Sequence, residues 1–199
     1  MNIFLTGGTS GVGLALTKLL SNHHVIAPSR LDLDLSNITA VSNYVMPHCD
    51  MLINCAGTDV GGKVEFSQHR PELILEIMSV NLLAPVLLSQ KALANPQCKI
   101  VNITSTNNNR YWPNNLAYSL SKNSLEDFGN MLKIDYPAVR YLEFRLGLTK
   151  TNFNVNRYRE HPERYNDVYT NPHLTADSVA EKLVSVMFDD TVKFIEVAP

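Results

Sequence analysis

The chain is poor in cysteine, with Cys49, Cys55 and Cys98 alone among 199 residues. The number is odd and no Cys-x-x-Cys occurs. A disulfide framework and a cysteine zinc site are excluded, and buried free thiols in a reducing compartment are expected. An excess of one charge is also missing. Lys and Arg total 17 against 19 Asp and Glu, a net charge of −2, which offers nothing to a nucleic-acid backbone or another polyanion. Long hydrophobic runs are lacking too. The most apolar stretch, 80–88, is broken by Asn81 and Pro85 and falls far short of a bilayer span. Met1-Asn2-Ile3-Phe4-Leu5 enters an apolar run at once, with no charged leader. Repeats and low-complexity linkers are absent. These absences predict a soluble cytoplasmic protein with no membrane and no nucleic-acid partner. A hydrophobic content of 45% suits one compact domain over residues 1–199, without a separate substrate domain.

What is present is an alternation of short β-rich runs with helical patterns. The runs are Asn2–Thr6, His24–Pro28, a short Leu31–Asp34, Met51–Ala56, Lys99–Thr104, Val139–Leu146 and Lys193–Val197. Several are nearly all apolar, as strands covered on both faces should be. Helical patterns occupy Val12–Ser21, Ile38–Val45, Pro71–Ala94, Tyr118–Ile134 and Thr175–Phe188. The order predicts an α/β fold with a doubly wound parallel sheet of about seven strands flanked by helices. The segment 152–172 is rich in Asn, Tyr, Arg and His. It reads as a loop or short mobile helix at the carboxyl edge of the sheet, where ligands bind in open α/β folds.

The first strand runs into Thr6-Gly7-Gly8-Thr9-Ser10-Gly11-Val12-Gly13, and a helix follows directly. Glycines let a backbone approach a pyrophosphate closely, and the helix N-terminus offers free N–H groups to it. The turn resembles that of the short-chain dehydrogenase/reductase family, in the short form with glycines at 7, 11 and 13. The family's other motifs are then found in order. Tyr118-Ser119-Leu120-Ser121-Lys122 matches its Tyr-x-x-x-Lys, which places both side chains on one helix face. A free phenol titrates near ~10, so it needs a neighbouring cation to serve as an acid or base at neutral pH. Ser105 closes an apolar strand thirteen residues before Tyr118.

The resemblance implies a Rossmann-like domain and a catalytic set. Ser105 would hydrogen-bond the substrate oxygen and Tyr118 would transfer the proton. Lys122 would hold the ribose hydroxyls and depress the tyrosine, and Asn81, in a segment like the family's Asn-x-x-x-Pro, would relay protons to Lys122. The cofactor side would comprise Thr6, Gly7, Thr9, Ser10, Gly11, Val12 and Gly13, with Tyr118 and Lys122. Asn54-Cys55-Ala56-Gly57 resembles Asn-Asn-Ala-Gly; Asn54 would bridge strands while Ala56 and Gly57 line the adenosine side. Asp34 would contact the adenine amino group. Arg145-Leu146-Gly147 departs from the family's Pro-Gly at Leu146, but Gly147 and Thr151 fit the nicotinamide contacts. At the end of the second strand Ser29 stands where an acid would grip a ribose 2′-hydroxyl, and Arg30 follows. This pair suits a 2′-phosphate, so NADP(H) is expected ahead of NAD(H).

The implied activity is an NADPH-dependent reduction of a carbonyl, or oxidation of an alcohol, on a small-molecule substrate. A catalytically silent NADP(H) sensor with the same fold is the alternative. An extended epimerase-like branch is disfavoured by the glycine spacing. No metal site is expected: His23-His24 is a turn, and His161 and His173 lack ligand spacing. Arg110, Tyr111 and Trp112 lie between Ser105 and Tyr118 and are candidates to flank the substrate. By resemblance a homodimer or homotetramer would form through the helices at 71–94 and 118–134. Almost nothing separates the strands ending at Pro28 and starting at Leu31, so the helix that crosses there in relatives is expected to be reduced or absent.

Overall fold

A computed structural model describes residues 1–62, 64–107, 113–159 and 162–199, with the side chains of 164, 166 and 167 left out. Arg110, Tyr111, Trp112 and His161 therefore lie outside the described residues. Six parallel strands form the main sheet: β1 (Asn2–Leu5), β2 (His24–Ile26), β3 (Met51–Asn54), β4 (Lys99–Ser105), β5 (Arg140–Leu146) and β8 (Phe194–Val197). Their order is β2-β1-β3-β4-β5-β8. The chain winds outward in opposite directions from the β1/β3 junction, which makes that junction the topological switch point. A separate two-stranded pairing joins β6 (Thr149–Lys150) to β7 (Leu174–Thr175).

Strand alternation sends side chains to two cores. Ile3, Leu5, Met51 and Ile53 face α1 (Gly11–Leu19) and α8 (Ala176–Met187), meeting Leu16, Val179 and Leu183. Phe4 and Leu52 face the other way, onto Val41 of α2 (Ile38–Asn43) and Ala84 and Leu88 of α4 (Ala84–Ala92). Every residue of β3 and β4 is buried, the polar Asn54, Lys99 and Asn102 included. The thiols of Cys49 and Cys98 are buried and 3.6 Å apart, and all three cysteines are free.

Helix α3 (Pro71–Met78) runs through a π turn at Ser79–Leu83 into α4. The whole stretch Pro71–Ala92 is long and apolar enough to cross a membrane by composition. Here Leu73 and Ile77, then Ala84 and Leu88, are buried in the protein's own core. Helix α5 (Leu116–Asp135) packs beside it.

One expected strand is corrected. Leu31–Asp34 is a turn, with the backbone N–H groups of Asp32 and Leu33 donating to the Ser29 carbonyl. Leu31 is 99% exposed, so its apolar character was no sign of a covered strand. The helix expected to be missing before it is indeed missing. The sheet thus ends at β2, and α2 follows the turn directly, with Asn37 accepting from the Ala40 N–H as its cap.

Candidate active site

A cleft of about 640 Å³ opens at the carboxyl ends of β1, β3 and β4. Its floor is the glycine turn. Gly7 has φ +76°, and a Cβ there would come within 2.9 Å of Ala56 Cα, so the two turns touch backbone to backbone. Thr6 joins them further. Its hydroxyl accepts from the N–H groups of Cys55 and Ala56, each at 3.1 Å. A Cβ on Gly13 would collide with the Gly7 carbonyl oxygen. The first turn of α1 carries no acid, Ser10 makes no side-chain cap, and Gly11, Val12 and Gly13 line the cleft. This is a cradle that fits a pyrophosphate.

Of the residues expected on the cofactor side, Thr6, Gly7, Thr9, Ser10, Gly11, Val12, Gly13, Arg30, Asp34, Ala56, Gly57, Gly147 and Thr151 line the cleft. Thr151 sits over the glycine turn, its Cγ2 at 3.2 Å from where a Gly11 Cβ would be. Two expected residues are not in the lining. Asn54 is buried and donates to Asn102 Oδ1 at 2.8 Å, the strand bridge its sequence context suggested. Ser29 donates its hydroxyl to Asp32 at 2.6 Å. Arg30 is ion-paired with Asp34 at 3.4 Å and Glu76 at 3.7 Å.

Across the cleft stand Ser105, Tyr118 and Lys122. Ser105 ends β4, accepts from the Asn107 N–H at 3.2 Å and hydrogen-bonds the Tyr118 phenol. Lys122 is 4% exposed and donates to the Ile103 carbonyl at 2.9 Å. Gly57 leaves room for it: a Cβ there would lie 3.6 Å from Nζ and 3.5 Å from Asn81 Oδ1. Asn81 sits in the π turn. Its Oδ1 accepts from the Thr58 N–H, and its Nδ2 donates to the Thr58 carbonyl and to Ser121. Both of its donors are committed to holding the turn behind Lys122.

Burial pushes the Tyr118 phenol above its ordinary value; Arg157 and the Ser105 hydrogen bond pull it down, and Asp59 pushes it up. Sequence reasoning missed Arg157 and Asp59. The Arg157 Nε donates to Asp59 Oδ2 at 2.6 Å, and the two side chains are 11% and 2% exposed. The guanidinium lies over the rings of both Tyr118 and Phe153. The pair is separated by 98 positions, and neither residue belongs to a local motif. The segment 152–172, expected as a loop or short helix, contains α6 (Phe153–Arg157) and α7 (Tyr165–Val168), and Tyr169 anchors it by accepting from Asn154 Nδ2 at 2.9 Å.

Burial lowers Lys122 to about 8 from its ordinary 10.5. Between those values the unfolded chain still holds the proton that the folded chain has lost, so stability rises with pH there. Below the folded value the burial cost is fully present. The melting temperature of the native chain, relative to Lys122→Met, is therefore expected to climb on raising the pH from neutral into the lysine range. A flat difference would show that Lys122 does not titrate early.

A family model described as short chain dehydrogenase matches residues 30–162. The chain belongs to this family and is an NAD(P)-dependent oxidoreductase. The match starts beyond the glycine turn, so that turn is independent support. The chain is 27% identical to the probable short-chain type dehydrogenase/reductase VdlC of Helicobacter pylori, over 95% of this chain and 84% of that protein. It is 23% identical to an NADP-dependent 3-hydroxy acid dehydrogenase of Schizosaccharomyces pombe, over 90% and 76%. Among solved structures, the closed form of a serine dehydrogenase complexed with NADP+ superposes with a TM-score of 0.82 at 20% identity, covering 99% of this chain and 94% of that one.

Proposed function

We propose that the chain, acting as one nucleotide-binding domain over residues 1–199, transfers hydride between NADP(H) and a small carbonyl or alcohol. One observation carries the reading: Ser105, Tyr118 and Lys122 line the same cleft as the glycine turn. The cofactor supplies or accepts the hydride when bound. Gly7 to Gly13 and the first turn of α1 hold its phosphates, with Ala56 and Gly57 beside the adenosine and Gly147 and Thr151 beside the nicotinamide. Asp34 takes the adenine end. Ser105 donates to the substrate oxygen and orients it, and Tyr118 gives up or receives the proton at its hydroxyl. Lys122 holds the ribose hydroxyls. Asn81 fixes the turn behind Lys122 and belongs to the path that reprotonates it.

Preference for NADPH is supported by Arg30 in the cleft wall and by the NADP named for the fission-yeast relative and the serine dehydrogenase structure. Asp34 and Glu76 position the guanidinium but also compete with a phosphate for it. Arg30→Ala is expected to weaken NADPH about tenfold, the worth of one charge-assisted hydrogen bond, with little effect on NADH. Fluorescence titration of both cofactors checks this. Equal losses would remove Arg30 from the specificity reading.

The function itself is tested by following NADPH absorbance with a panel of aldehydes and ketones. Turnover supports the oxidoreductase reading; tight NADPH binding with no turnover across the panel would favour the sensor. The cytoplasmic location expected from the composition and the dimer or tetramer expected from the resemblance are part of this proposal. Exposed Leu75 and Leu83 on the Pro71–Ala92 stretch and Leu120, Met131 and Ile134 on α5 give such an assembly apolar surface to cover.

A further inference from the structure

We propose that Arg157 is a positioning residue for Tyr118: its guanidinium, anchored by Asp59 and lying against the adjoining rings of Tyr118 and Phe153, stabilises the phenolate left by proton transfer. The inference rests on the reading of Tyr118 as the proton donor. In that step the O–H bond of Tyr118 breaks, the proton goes to the substrate oxygen, and the bonding pair stays on the phenol oxygen.

The geometry is specific. The guanidinium carbon lies 5.2 Å from the Tyr118 ring centroid and 5.0 Å from that of Phe153. The two rings are themselves 5.7 Å apart and edge-on at 65°. Asp59, on the loop after β3, accepts a hydrogen bond from the Nε–H and thereby holds the plane of the fork. A guanidinium stacks on aromatic faces and stays charged at every working pH, which an ammonium does not match. Lys122, on the same helix as Tyr118, is lowered to about 8 by burial and sheds its charge as the pH rises. Arg157 keeps its own.

The charged and titratable groups around the phenol come from four elements. Lys122 is on its own helix, and Asp59 is on the loop after β3. Arg157 is on α6, with Tyr158 beside it. Ser105, at the end of β4, supplies a neutral hydrogen bond. Asp59 opposes the effect, raising the phenol where Arg157 lowers it. The cation is nonetheless the member of the pair that contacts the ring. A cation in contact with the ring favours the phenolate over the neutral phenol.

The test reads the phenol directly and needs neither cofactor nor substrate. The whole chain is labelled with ring-fluorinated tyrosine, whose greater acidity brings the titration into the folded range. The Tyr118 fluorine resonance is assigned by its loss in Tyr118→Phe. Arg157→Gln is expected to raise the Tyr118 titration midpoint by at least about one unit, and Arg157→Lys to fall between it and the native chain. A midpoint in Arg157→Gln equal to or below the native one overturns the proposal. Should circular dichroism show that Arg157→Gln is unfolded, Arg157→Lys decides: a raised midpoint supports the proposal and an unchanged one overturns it. A chain without turnover on any carbonyl but with the shifted phenol would sink the functional reading and leave this coupling standing.

Discussion

Tyr118→Phe is expected to lower kcat for carbonyl reduction by about 10²–10⁴-fold, the usual worth of a positioned acid, while NADPH affinity is largely kept. The substitution removes one oxygen and nothing else. The ring keeps its edge contact with Phe153 and its place under Arg157. Ser105 loses its phenol partner but still accepts from the Asn107 N–H. The fold therefore has no reason to move, and the lost rate belongs to the missing proton. Steady-state kinetics with a carbonyl reduced by the native chain, alongside cofactor titration, makes the comparison. Turnover surviving near the native rate would remove Tyr118 from the proposed chemistry.

The second large effect comes from a single methyl. In an ordinary helix, Gly→Ala stabilises by roughly 0.5–1 kcal/mol. Gly13→Ala in α1 is expected to do the opposite. Its Cβ would overlap the Gly7 carbonyl oxygen, and Gly7 has nowhere to retreat because its own left-handed backbone is pressed on Ala56. Overpacking of this kind costs about 1–3 kcal/mol, and any relief must open the turn that cradles the phosphates. Chemical denaturation should show the lost stability, and NADPH titration a parallel loss of affinity. Gly57→Ala is the control for the stability loss, since the nearest protein atom to its Cβ would lie at an ordinary 3.5 Å. Tolerance of Gly13→Ala equal to that of Gly57→Ala would contradict this packing argument.

The parts of the site that are legible in the sequence are those with local grammar. A glycine turn between strand and helix, a Tyr and Lys one helical turn apart, and a hydroxyl at the end of an apolar strand each carry their geometry in their spacing. The parallel sheet was legible for a similar reason, because strands buried on both faces lose their polar alternation, as Ile3-Phe4-Leu5 in β1 and Met51-Leu52-Ile53 in β3 do. Leu31–Asp34 misled because alternation predicts a strand only where a neighbour exists to pair with it, and pairing is not a local property. Arg157 and Asp59 were illegible for the same cause at longer range. Each is an ordinary charged residue in a polar segment, and only the fold brings them together beside Tyr118. Asn54 carries a mixed lesson: its motif suggested the strand bridge to Asn102, while its grouping with cofactor residues did not match the cleft lining.

The sheet ending at β2 has a consequence for how copies of the chain meet. Loss of an outer strand leaves backbone groups unpaired along the new margin, and such a margin invites strand-to-strand association. Here the margin is three residues long, His24–Ile26. It is followed by Pro28, which has no N–H to add to a ladder. A foreign strand would find too few partners to register against, so the chain is shortened at that edge without becoming adhesive there.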